Sequence, residues 1–151
     1  MREDLYDKLE REELKIASFP KRVIAYIIDS FIVGILCALV FMGDFYQIPD
    51  DPVQFLSVTP QFVLSVYLLN FFYQTFFTFL YGATLGKMVC KIMIIDERIL
   101  DKPNLIQSAI RAIIRQISDM FFMLGFAWAL SNNLFKTWQD YLAKTIVIDV
   151  A

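Results

Sequence analysis

Two long apolar runs organise the chain. Val23 to Met42 holds 20 residues with one charge, Asp29, and Gln61 to Tyr81 holds 21 residues with none. A hydrocarbon layer of about 30 Å takes roughly 20 helical residues at about 1.5 Å rise each, so both runs are predicted transmembrane helices. Ser18 followed by Pro20 suits an N-cap with proline in the first turn, which starts the first helix just ahead of its apolar run. Tyr67, Tyr73 and Tyr81 are placed to anchor the second helix at membrane interfaces. Between the runs, residues 43 to 60 carry three prolines, three aspartates and neither Lys nor Arg, which predicts an exposed loop with turns at Pro49 and Pro52.

The third apolar region, about 105 to 131, is of a different kind. Arg111, Arg115 and Asp119 recur at i, i+4 and i+8 and fall on one helical face, so its first half is expected to be interfacial. Its uninterrupted apolar stretch, Met120 to Leu130, has 11 residues, nearer a re-entrant segment than a complete crossing. A tilted third crossing, with both arginines reaching back to the cytoplasmic side, is the alternative. Two short stretches rich in β-branched residues, 89 to 96 and 143 to 149, are predicted to pair as strands.

Residues 1 to 17 hold six acids and four bases, with acid-to-base spacings such as Asp4 to Lys8, and read as a charged cytoplasmic helix or tail ahead of a membrane domain over 18 to 151. Leu5, Leu9 and Ile16 offer it one thin apolar stripe. The segment begins charged rather than basic and then apolar, unlike a signal peptide. Lys15, Lys21 and Arg22 precede the first run, while Lys87, Lys91, Arg98 and Lys102 follow the second. The positive-inside rule therefore puts the N-terminus and the 82 to 102 segment in the cytoplasm and the 43 to 60 loop outside.

Composition sharpens this picture. Hydrophobic residues make up 58% of the 151, above the roughly 45–50% usual for soluble domains, so the expected partner is a lipid bilayer. A net charge of -2 gives no basic surface for nucleic acid. The absence of histidine removes the commonest general base and metal ligand. Cys37 and Cys90 lie in separate segments and form no redox or zinc motif, so no cofactor and no enzymatic activity are expected.

Polar residues inside the apolar runs are the candidate chemistry. Asp29 within a spanning helix costs about 2.5–3.5 kcal/mol on insertion scales unless compensated, and Arg111 or Arg115 are its expected partners. It is either a structural ion pair or a coupling site that exchanges a proton or cation. Asn70, Gln74 and Thr78 repeat every four residues and form a polar seam that should face protein. Ser30, Gly34 and Ala38 have the small-xxx-small spacing that lets helices approach closely.

From about Phe19 onward these residues resemble the RDD family of small bacterial membrane proteins, named for one arginine and two aspartates. Arg22 and Asp29 in KRVIAYIID and Asp140 in TWQDYLAKTIVI are similar to those three positions. YGATLGKMVCKIMIID resembles the family's central motif, carried here by Gly82, Thr84, Gly86, Lys87 and Asp96. The two glycines would permit a tight turn and Lys87 would reach lipid phosphates. Arg111 stands where an arginine is common, whereas Gln139 replaces a frequent histidine and Lys144 a usual glycine.

The expected fold class is an all-α membrane protein: two long transmembrane helices, a third transmembrane or re-entrant helix, amphipathic cytoplasmic segments and a small two-stranded β pair. The resemblance implies a multi-pass protein of the bacterial inner membrane, with cation- or proton-coupled transport of a small ion or solute as the suggested role. Two or three helices cannot enclose a hydrated path alone, so transport requires a homo-oligomer or other membrane proteins as partners. The competing expectation is a non-transporting protein that organises partner proteins or lipids.

Overall fold

The computed structural model describes residues 2–47, 49–121, 127–131 and 136–150. Helix α1 spans Arg2–Arg11 and is followed by the two-residue strand β1, Lys15–Ile16. Helix α2 covers Phe19–Val40, a short α3 covers Met42–Phe45, and the long α4 covers Pro52–Tyr81. Helix α5 (Leu85–Val89), β2 (Ile92–Asp96), α6 (Leu105–Met120), a 3-10 turn at Trp128–Ser131, α7 (Trp138–Ala143) and β3 (Thr145–Asp149) complete the order.

Two helices, α2 and α4, are long and apolar enough to cross a membrane. Ser18 is the N-cap residue of α2 and proline occupies its first turn, although the serine side chain makes no capping hydrogen bond. Large apolar side chains on α2 stand outward at Ile24, Ile27, Phe31, Ile35 and Leu39, and α4 exposes Leu68, Phe72 and Phe76 at helical spacing. Exposed apolar stripes of this kind are costly in water and suit hydrocarbon.

The second run starts earlier than its apolar pattern indicates. Residues 52 to 60, expected in the loop, are helical because Asp51 caps α4 by accepting a hydrogen bond from Val53 N at 3.1 Å and Pro52 opens the first turn with its fixed φ. Pro60 lies inside α4. The hydroxyls of Ser57 and Thr59 donate to the Gln54 and Phe55 carbonyls at 2.7 and 2.8 Å in the same stretch. Helix α3 also falls in the expected loop region.

The predicted β pair forms, and it gains a third strand. β2 and β3 run antiparallel from Ile92 opposite Asp149 to Asp96 opposite Thr145, and β1 adds to the other edge of β3 with Lys15 opposite Asp149. β1 lies in the segment read as charged helix or tail, where two residues are too few to show a strand period. Leu5 and Leu9 of α1 pack on Ile95, Ile146 and Ile148, so the N-terminal helix covers one face of the sheet. On the other face Ile92, Ile94 and Val147 meet Ala17, just ahead of α2, and Ala25 within it. The sheet thereby fixes the base of the first spanning helix.

Helix α6 is set by a capping box at its start: Asn104 accepts from Gln107 N at 2.8 Å and Gln107 Oε1 accepts from Asn104 N at 3.0 Å. It packs between α4 and α7, while α5 packs on α2. Of the third apolar stretch, residues 122–126 lie outside the described residues, so the expected third crossing or re-entrant turn is not described as a whole.

Candidate functional site

The spanning helices carry few polar groups, and these converge with α5, α6 and α7 on one small cavity. Asp29, 1% exposed, sits on the inner face of α2 against α5. Its Oδ1 accepts hydrogen bonds from the Tyr73 hydroxyl at 2.9 Å and from Gly86 N at 2.8 Å, and its Oδ2 accepts from the Thr84 hydroxyl at 2.5 Å. Arg115 Nη1 stands 3.9 Å from Oδ2. Three donors and a guanidinium replace the hydration that burial removes from a carboxylate.

Asp140, fully buried at the first turn of α7, is the second focus. Its Oδ2 accepts from Arg22 Nη1 at 3.2 Å and from Thr137 N at 3.1 Å, and its Oδ1 accepts from Arg111, which also donates to the Thr145 hydroxyl. Arg22 reaches on to the Val147 carbonyl at 3.3 Å. Burial pushes the Asp140 carboxyl up, but Arg111 and Arg22 outweigh it and hold the group down at about 2. One carboxylate thus ties the base of α2, the middle of α6 and strand β3.

Arg111 or Arg115 is the expected partner of Asp29, and the structure divides the two. Arg115 is the neighbour of Asp29 and donates to Gln74 Oε1 at 3.0 Å, while Arg111, one turn earlier, belongs to Asp140. In the polar seam, Gln74 and Thr78 are buried and Asn70 is half-buried. The Tyr26 hydroxyl donates to Asp119 at 3.2 Å, and the Arg115 guanidinium lies over the Tyr26 ring at 4.7 Å. Polar bonds therefore link α2, α4 and α6 across otherwise apolar surfaces.

The motif residues divide in the same way. Gly82 ends α4 at φ +68°, the left-handed conformation that favours glycine, and its carbonyl accepts from Ile94 N at 2.7 Å. Gly86 is not a turn residue: it lies within α5, where a Cβ would run into the Ala25 carbonyl and come within 2.8 Å of Asp29 Cγ. Asp96 accepts from Gln107 Nε2 at 2.9 Å and so docks the start of α6 on the end of β2. Lys144 ends α7 at φ +55°, a backbone conformation that explains the glycine usual there.

Lys87, expected to reach outward to lipid phosphates, instead lines the cavity with Asp29, Arg111 and Arg115. Burial, reinforced by the positive fields of Arg111 and Arg115, pulls its ammonium well below the ordinary lysine range against the opposing carboxylates of Asp29 and Asp140. The cavity measures about 30 Å³, room for one or two waters. Ser118, 2% exposed, and Gln139 also line it, and among the described residues the Ser118 hydroxyl and Gln139 Oε1 have no hydrogen-bond partner. Among the described residues no cluster of three or more Cys, Asp or Glu side chains is suited to hold a metal ion.

The donors to Asp29 were the part that periodicity did not reveal. Thr84 and Gly86 lie 55 and 57 residues from it in sequence and Tyr73 lies 44 away. Only the spacing of Thr84 and Gly86 in one short motif pointed at them. Thr84→Val, which removes a hydroxyl donor to a buried carboxylate, should cost about 1.5–3 kcal/mol in denaturation of the detergent-solubilised protein, with Thr84→Ser retaining most of the stability.

No curated protein and no solved structure matches the chain. The sequence model of the RDD family matches residues 16–144, most of the chain and all of the cavity-lining side chains except Val147. With two apolar helices of membrane-crossing length and its arginine and two aspartates gathered at one buried site, this chain belongs to the RDD family of membrane proteins.

Proposed function

We propose that the protein is a multi-pass subunit of the bacterial inner membrane that exchanges small ions, coupling cation movement to protons, with its N-terminus in the cytoplasm. The observation that carries this reading is the buried cavity, where seven ionisable Lys, Arg and Asp side chains surround space for one or two waters beside two membrane-length helices. Charges placed so close to hydrocarbon are expensive, and proton or ion handling is their commonest use there. The cavity is too small and the spanning helices too few for a continuous path in one copy, so the working unit is an oligomer.

Purified protein in sealed liposomes should move Na⁺ or K⁺ when an inside-acid pH gradient is imposed, at rates well above protein-free liposomes. Reconstituted protein of verified insertion that moves neither ion in either direction would remove the reading.

A second reading rests on a different surface. Ser30, Gly34 and Ala38 line an open apolar groove on the outer face of α2, and no atom of the described residues lies within 4 Å of a Cβ added at Gly34. Such a groove suits close packing of another membrane helix, the feature an assembly protein would use. Crosslinking in native membranes separates the two: recovery of a defined hetero-complex by protein that shows no flux favours assembly.

A further inference from the structure

The charges around the cavity do not balance when all are ionised. Arg22, Arg111, Arg115 and Lys87 bring four positive groups, and Asp29, Asp119 and Asp140 bring three negative ones. Each arginine has a carboxylate: Arg22 and Arg111 share Asp140, and Arg115 stands beside Asp29. Lys87 makes no hydrogen bond or ion pair among the described residues. Lys87 is half-buried, and an ammonium that faces guanidiniums with no carboxylate of its own is relieved by losing its proton or by taking a counter-ion.

We infer that Lys87 is the proton-exchanging group of the cavity: without its proton the cluster holds three positive and three negative charges, and with it an excess of one positive. The inference deepens the proposed ion exchange and rests on it only for its purpose, not for the titration itself. The groups that face Lys87 from the packed elements are Arg22, Tyr26 and Asp29 on α2, Arg111, Arg115 and Asp119 on α6, and Asp140 on α7; from α4, Tyr73 acts through its bond to Asp29. Three guanidiniums around one small space oppose a fourth positive charge there. The oxygens of Asp29 and Asp140 are already engaged by other donors, so neither carboxylate is open to a full bond with the ammonium. The Ser118 hydroxyl, without a hydrogen-bond partner among the described residues, lines the same space, which admits water, and offers a route by which the proton enters and leaves.

Protonation then carries a mechanical consequence. Lys87 follows Gly86, whose N–H bonds Asp29, so charge appearing at Lys87 acts on the contact between α5 and α2. An extra positive charge in the cavity also disfavours any second cation there, which makes proton and cation alternatives rather than companions.

The test uses full-length protein with ¹⁵N-labelled lysine in detergent micelles, the Lys87 resonance being assigned by its loss in Lys87→Arg. Lys87 should deprotonate at lower pH than the exposed Lys8, Lys15 and Lys102, and the midpoint should be the same in chloride and in gluconate. Folding should correspondingly release a proton: because the unfolded chain holds the lysine proton to higher pH, stability should rise as pH increases between the folded and unfolded midpoints. Lys87→Met should flatten that rise, and Lys87→Arg, permanently charged, should be less stable than Lys87→Met. A Lys87 that titrates with the surface lysines overturns the inference, as does a chloride-dependent shift showing that an anion balances the ammonium. An unchanged pH profile in Lys87→Met overturns it too. If Lys87 titrates early but the liposomes carry no ion, the transport reading fails and the protonation site stands.

Discussion

Asp140→Asn should lower the stability of the folded protein by roughly 3–5 kcal/mol, the usual cost of leaving buried charges without their partner. Arg22 and Arg111 both depend on this one carboxylate, and both are buried. Asparagine is nearly isosteric and can still accept from Thr137 N, so the α7 cap survives and the loss reports charge rather than shape. Arg111 keeps the Thr145 hydroxyl and Arg22 keeps the Val147 carbonyl, acceptors too weak to balance two guanidiniums. The same interaction predicts an acid limit. The Asp140 carboxyl is held at about 2 against an ordinary value of 3.8, so its contribution is complete above the ordinary value and is lost as pH falls through about 2. Denaturation of wild type and variant between neutral pH and pH 2 should show the two curves converging at the acid end.

Gly86→Ala is expected to cost roughly 2–4 kcal/mol, combining overpacking against a backbone carbonyl with a strained hydrogen bond to a buried carboxylate. The added methyl meets the Ala25 carbonyl and Asp29, neither of which is the free end of a flexible side chain. To relieve the collision α5 must lift from α2, and the Gly86 N–H and Thr84 hydroxyl move away from Asp29 with it. Gly34→Ala supplies the control within the same helix pair, because no atom of the described residues lies within 4 Å of a Cβ there. Thermal midpoints in detergent should therefore fall for Gly86→Ala and hold for Gly34→Ala.

The sequence and the structure agree where a residue's environment is set by its own segment. The length and apolarity of the two runs, the Ser18 and Pro20 start and the inward face of the Gln74 and Thr78 seam all follow from local periodicity. Pairing of the 89 to 96 and 143 to 149 stretches was legible because β-branched runs of similar length stand out among helices. Local patterns carried less for β1, whose two residues are held by β3, and for residues 52 to 60, whose helix depends on an aspartate cap rather than on apolar spacing.

At the cavity the limit is of another kind. Placing Arg115 beside Asp29 needed only a rule about buried charge, whereas Tyr73, Thr84 and Gly86 as its donors required knowing that α5 folds back onto α2. Lys87 shows the same point: its position after the second apolar run suits a surface lysine, and only the fold turns it toward three arginines.

Arg22, Asp140 and Arg111 share one buried charge balance, and a reversal experiment reaches it most directly. Denaturation should be compared for Asp140→Asn and for the triple variant in which Arg22 and Arg111 also become Met. Removing the two cations should restore at least half of the stability that Asp140→Asn loses, since neutral side chains of similar size replace a buried charge triad at little cost. A triple variant no more stable than Asp140→Asn would mean that the three residues do not compensate one another, and the cluster described here would be wrong.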